Sequence, residues 1–209
     1  MDILEKLEWR YAVKKFDSTK KLSAAQLDRV IAATRLSASS YGLQPYKILV
    51  IENPAVREQL KAASWGQPQI TDASQLIVFA RYNDLNESHV DDYTNNIAAT
   101  RNINPEDLAG FAGMMKGTVN NLDEQGKATW TAKQAYIALG TLLTAAAAEG
   151  IDACPMEGFN AAQYDEILGL KEKGLATAVI AAIGFRAADD EMQHAKKVRK
   201  PIAELVEVI

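Results

Sequence analysis

Arg10, Lys14 and Lys15 fall within the seven residues Arg10–Phe16 of a chain whose formal net charge is -4. Arg10 and Lys14 stand four apart, so at a helix end they point the same way. A second basic cluster, Lys196-Lys197-Val198-Arg199-Lys200, lies near the other terminus. Either both clusters are solvated surface charge, or they converge on one anion, most economically a phosphate. Three further stretches bear on that choice. Ser37-Ala38-Ser39-Ser40-Tyr41-Gly42-Leu43-Gln44-Pro45 is mostly small or polar. It is either a plain connection or a loop that brings hydroxyls and backbone N–H groups to a ligand. Gln67 and Gln69 follow Trp65-Gly66, and their amides suit the edge of a heterocycle. Pro155-Met156-Glu157-Gly158 reads as a turn.

Other devices are missing from the sequence. There is no G-x-G-x-x-G, no Walker loop and no G-x-S-x-G elbow. His89 and His194 are the only histidines, and no Cys, His or carboxylate spacing resembles a metal site. The negative net charge argues against general nucleic-acid binding. The remaining set suits a phosphate-bearing cofactor with a planar hydrogen-bonding ring better than it suits hydrolysis.

A chain of 209 residues allows one sizeable core, and 48% hydrophobic with 24% charged residues is ordinary for a globular protein. One cysteine, Cys154, a start without a signal-peptide core and no bilayer-length apolar run lead to a cytoplasmic expectation without membrane attachment. Asp2 with Glu5 predicts a capping box for a first helix that buries Ile3, Leu4 and Leu7 and ends near Arg10. Ser23 with Gln26 starts a second helix carrying Leu27, Val30 and Ile31. Tyr46 to Ile51 and Leu76 to Ala80 read as strands, with a helix opened by Asn53-Pro54 between them. From Asn86 to Asn121 a weakly periodic helical excursion breaks at Asn104-Pro105, with Phe111, Met114 and Met115 as its apolar face. Glu124 to Glu149 is the longest helix, apolar all round in its second half and therefore expected to be buried on every side, in the core or along a dimer interface. Ile151 to Ala153 is a short strand, Asn160 opens another helix, and Leu175 to Phe185 is the clearest strand. Ile202 to Ile209 alternates enough for an edge strand. Strands and helices without regular βαβ spacing make the class α+β, as one domain over 1–209.

Five segments in order resemble the FMN-dependent nitroreductase family, in particular its oxygen-insensitive NAD(P)H nitroreductase and dihydropteridine reductase branch. They are Arg10-Tyr11-Ala12-Val13-Lys14-Lys15-Phe16-Asp17, Ser39-Ser40-x-x-x-Gln44-Pro45-Tyr46, Asp72-Ala73-Ser74, Pro155-Met156-Glu157-Gly158-Phe159 and Lys197-Val198-Arg199. The resemblance implies a central, mostly antiparallel sheet flanked by helices, in a domain-swapped homodimer with FMN at the interface. The tail, 186–209, would extend over the partner. Arg10, Lys197 and Arg199 would hold the FMN phosphate, and Lys14 would approach the pyrimidine side of the ring. Ser39, Ser40 and Gln44 would come from the other subunit, toward the phosphate and ribityl chain, and Gly42 belongs to the implied cofactor-binding set. Pro155 to Gly158 would lie against one ring face, with the backbone N–H groups of Glu157 and Gly158 toward its N5 and O4. Tyr11, Ala12, Met156, Gln67 and Gln69 complete the implied cofactor-binding set, and Lys14 and Glu157 are the implied catalytic residues. Ala12 replaces a hydroxyl frequent in the family, and Gln67 and Gln69 occupy a region where a lysine is common. The implied activity is two-electron, ping-pong hydride transfer from NADH or NADPH to flat acceptors such as nitroaromatics, quinones or pteridines. A same-fold flavin enzyme of different outcome, a non-catalytic FMN-binding regulator, and a module for another phosphorylated ligand are the alternatives.

Overall fold

Alternation of β-branched and small apolar residues builds the sheet, and helical apolar stripes cover it. The computed structural model describes residues 2–209. The first elements are α1 (Ile3–Trp9), α2 (Ala24–Arg35), β1 (Tyr46–Ile51), α3 (Pro54–Ala62), the single turn α4 (Gln69–Asp72) and β2 (Gln75–Tyr82). An excursion of α5 (Glu87–Arg101) and α6 (Ala109–Asn120) follows, then the long α7 (Glu124–Ala148). The chain closes with β3 (Asp152–Met156), α8 (Ala161–Ile167), β4 (Leu175–Gly184) and the short α9 (Ile202–Leu205). The four strands lie in the order β1-β2-β4-β3, every pair antiparallel.

Period-two side-chain alternation divides the core into two layers. Ile77, Phe79, Val179, Ala181 and Ile183 face α2 and α7, where Val30, Ala138, Leu139 and Leu142 meet them. Leu76, Val78, Ile180 and Ala182 face the other way, against Leu60 of α3, Ile70 of α4 and Tyr164 of α8. Residues 12 to 16 run beside the sheet, Ala12 bridging Ala153 and Phe16 bridging Arg186. There the backbone packs so closely that a Cβ on Gly184 would stand 2.9 Å from the Ser74 backbone nitrogen. Both expected capping boxes are present, at Asp2 and at Ser23.

Five expectations change. Ile3, Leu4 and Leu7 lie on an open face of α1, 47%, 65% and 36% exposed. α7 is buried only along the side that covers the sheet, and Tyr136, Ile137 and Gly140 face outward. Met114 also faces outward, leaving Met115 and Val119 to pack the excursion against Leu85 and Val90. Residues 202–209 form no edge strand. With no free sheet edge beside them, their backbone groups bond locally, as in Val206 N–H to the Ile202 carbonyl at 2.8 Å. β3 runs three residues further than expected, to Met156, and takes in Pro155, which an edge strand tolerates because no ladder bond is lost. No helix among the described residues is long and apolar enough to cross a membrane.

Candidate active site

α1 ends at Trp9, and Arg10 leaves it in extended conformation, its N–H still bonded to the Lys6 carbonyl. The chain from the other terminus returns to this point. Lys197 Nζ donates to the carbonyl of Leu7 at 2.7 Å and to that of Arg10, capping the helix's negative end. A cavity of about 420 Å³ results, lined by Trp9, Arg10, Tyr11, Ala12, Lys197 and Arg199 among others. Arg10 Nε is buried without a partner. Burial and the Arg199 charge push the Arg10 guanidinium down from its usual value. Burial, then Arg10 and Arg199, push Lys197 down as well, with Glu8 opposing. No carboxylate among the described residues lies within ion-pair distance of Arg10, Lys14, Lys197 or Arg199. Three mutually repelling cations, one with an unpartnered buried donor, fit a multiply charged anion such as a phosphate.

Lys14 projects to solvent from the same segment, and its ammonium opposes the upward push that burial gives the Cys154 thiol on β3. β3 leads through Pro155 and Met156 into Glu157 and Gly158. Gly158 packs against the loop after α3, where Trp65 (φ 53°) and Gly66 (φ 73°) take left-handed conformations. A Cβ on Gly158 would stand 3.0 Å from the Trp65 ring. Gln67 Nε2 donates to the Gly158 carbonyl at 2.7 Å and to the Ser64 carbonyl at 3.1 Å. Its amide donors therefore staple this loop to the turn, and its oxygen is the group left over. Gln69, the first residue of α4, is buried with Oε1 unpartnered. The Glu157 carboxylate accepts from Tyr136 Oη at 2.6 Å, which draws it toward α7. Burial and that bond push the Tyr136 phenol up to about 12.

The Ser39–Gln44 loop lies apart from this cluster within one chain. None of Ser39, Ser40, Gly42 or Gln44 lines the basic cavity. Tyr41 (φ 58°), Gly42 (φ 84°) and Gln44 (φ 44°) are all left-handed, so the loop is tightly determined. Ser40 N–H donates to Gln134 Oε1 on α7 at 2.8 Å, and Gln44 Nε2 donates to the Arg35 carbonyl at 2.7 Å. Gln44 thus fixes the loop with its amide nitrogen. Trp65, Tyr136, Arg186 and Asp190 also shape the site and were not singled out from the sequence. The contacts that tie them to the site reach 21 or more positions away, and no local pattern marks them.

The nitroreductase family model matches residues 7–185. The chain is 34% identical over 218 residues to "Putative NAD(P)H nitroreductase SSP0379" of Staphylococcus saprophyticus, covering 98% of this chain and 95% of the relative. A structure described as a "putative nitroreductase in complex with FMN" from Exiguobacterium sibiricum superposes with a TM-score of 0.84 at 21% identity, covering 100% of this chain and 98% of that one. CLA-ER, an enone reductase of gut-bacterial fatty acid saturation metabolism, superposes with a TM-score of 0.83 at 22% identity, covering 100% and 98%. The family match and the near full-length relative lead to one conclusion: the chain belongs to the nitroreductase family.

Proposed function

We propose that the chain is an FMN-dependent NAD(P)H oxidoreductase that works as a homodimer, with 1–209 as one functional unit. The observation that carries the reading is the convergence of Arg10, Lys197 and Arg199 from the two ends of the chain around an unpartnered Arg10 Nε. When bound, FMN supplies two-electron hydride chemistry, taking from NADH or NADPH and giving to a flat, electron-poor acceptor in a ping-pong sequence. Arg10, Lys197 and Arg199 hold its phosphate. Tyr11 and Ala12 wall the same cavity. Lys14 and the free oxygens of Gln67 and Gln69 address the polar edge of the ring. Pro155 and Met156 back one ring face, and the N–H groups of Glu157 and Gly158 orient the ring. The Tyr136 contact leaves the Glu157 side chain a supporting role and its backbone the direct one. Ser39, Ser40, Gly42 and Gln44 reach the partner's cofactor, a role supported by their separation from their own chain's basic cavity. The open faces of α1 and α7 and the exposed tail supply apolar surface for the dimer. Nitroaromatics, quinones and pteridines are the acceptor classes this site suits.

Calorimetric titration with FMN and with riboflavin tests the reading. Two or more charge-assisted contacts to the phosphate predict that riboflavin binds about 100-fold more weakly. Equal affinities would remove the phosphate from the account.

A further inference from the structure

The segment between β4 and the basic tail contains a carboxylate that the reading above leaves without a role. Asp190 is 2% exposed. Its Oδ2 accepts from the backbone N–H of Lys14 at 2.8 Å, the backbone N–H of Lys15 at 3.1 Å and the Tyr11 hydroxyl at 3.0 Å. Its Oδ1 accepts from Met192 N–H at 3.2 Å. No cation lies within ion-pair distance of it among the described residues. A buried carboxylate held only by N–H and O–H donors is costly unless it is well hydrogen-bonded, and here four donors meet it, three on Oδ2 and one on Oδ1.

The surrounding contacts lock the same two segments together. Ala187 N–H donates to the Lys15 carbonyl at 2.9 Å, and Asp17 N–H donates to the Phe185 carbonyl at 2.8 Å. Arg186 pairs with Asp152 at 2.6 Å and stacks between the rings of Trp9 and Tyr11, 4.3 and 4.6 Å from their centres. These contacts set the sheet-side register of residues 9 to 17. Asp190 differs in where it acts. It binds the stretch between Arg10 and Lys15 directly, and Met192 N–H turns the chain at the point where it heads toward Lys197 and Arg199.

We infer that Asp190 is a positioning residue that fixes the Tyr11–Lys15 segment against the returning tail, so that Arg10, Lys197 and Arg199 act as one preorganised anion clamp and Lys14 is held in place beside it. The inference rests on the FMN reading and deepens it. A clamp built from two chain ends holds cations that repel one another, and a buried anion that touches only backbone and a phenol can align them without neutralising any of them.

The test is a double-mutant cycle on FMN affinity, read by quenching of flavin fluorescence with the full-length protein. Asp190→Asn keeps the size but turns a donor toward N–H groups that need an acceptor. It is expected to weaken FMN binding about tenfold or more, in line with the loss of charge-assisted hydrogen bonds. Combined with Arg199→Ala, the loss is expected to fall well short of the product of the two single losses, because the second change acts on a clamp already out of register. A merely structural Asp190 would lower the melting temperature while leaving FMN affinity unchanged, or would give strictly multiplicative losses, and either result overturns the inference. Should Asp190→Asn not fold, Tyr11→Phe removes one donor and leaves the carboxylate in place. A fall of about two- to fivefold in affinity is then expected, and no change overturns the proposal. If the wild-type protein itself bound no FMN, the functional reading and this inference would fall together. Wild-type binding with an unaffected Asp190→Asn variant would overturn this inference alone.

Discussion

At Arg10, a buried Nε without a partner sits in a cavity that also receives Lys197 and Arg199. Arg10→Met is therefore expected to weaken FMN about 10- to 100-fold while costing the cofactor-free protein little, since an unmet donor and a like-charge repulsion leave together. Fluorescence titration beside a thermal melt checks both halves. Gln69 offers the complementary case. Replacing its unpartnered buried amide by Gln69→Met should leave the melting temperature of the cofactor-free protein level or raised, and lower FMN affinity. For Asp190, burial pushes the carboxyl up, but the N–H donors of Lys14, Lys15 and Met192 and the Tyr11 hydroxyl outweigh it, leaving it below its ordinary 3.8. A lowered folded value contributes stability that is complete above 3.8 and is lost as pH falls through the lower folded value. The melting temperatures of wild type and Asp190→Asn should therefore converge as pH drops below 3.8, and parallel curves would count against the assignment. The cationic members of the site were legible from charge alone, because cations clustered against an acidic background are unusual. Asp190 was not, since the partners that tie it to the site lie 175 to 179 positions away and an acidic pair in an irregular tail looks like solvated surface.

Among the elements, the Ser39–Gln44 loop is the most constrained. Gly42 adopts φ 84°, and a Cβ there would clash with Tyr93 Oη, whose hydroxyl donates to the Tyr41 carbonyl at 2.8 Å. Gly42→Ala should destabilise the fold by about 1–3 kcal/mol through clash and backbone strain. Part of that loss should return in Gly42→Ala/Tyr93→Phe, measured by urea unfolding, because the second change removes the atom in the way. Strand and helix positions were readable because period-two and helical apolar patterns report burial directly, and the caps at Asp2, Ser23, Asn53 and Asn160 fixed the starts of their helices. Burial of whole helix faces was not readable. The apolar residues of α1 and the outer face of α7 carry a core-like pattern, yet nothing among the described residues covers them. The tail from Ile202 failed for the same reason, since alternation predicts a strand only where a sheet edge is within reach.

On the scale of the whole molecule, those uncovered faces and the separation of Ser39 and Ser40 from the basic cavity support a site completed by a second copy. Ile137→Asp, on the open face of α7, is expected to shift the protein toward monomer in sedimentation velocity and to weaken FMN retention in parallel. An unchanged dimer that still binds FMN would place the interface elsewhere. The family resemblance reached this level only because five separate segments occur in order. Composition and periodicity by themselves stop at an α+β fold with a possible anion site.

The most direct measurement is the anaerobic absorbance spectrum of the FMN-loaded protein, before and after addition of NADH and then NADPH. The account predicts a yellow protein whose flavin absorbance bleaches with at least one of the two nucleotides and returns when a nitroaromatic or quinone is added. A protein that cannot be reconstituted with FMN, or one whose bound flavin neither nucleotide bleaches, would contradict it.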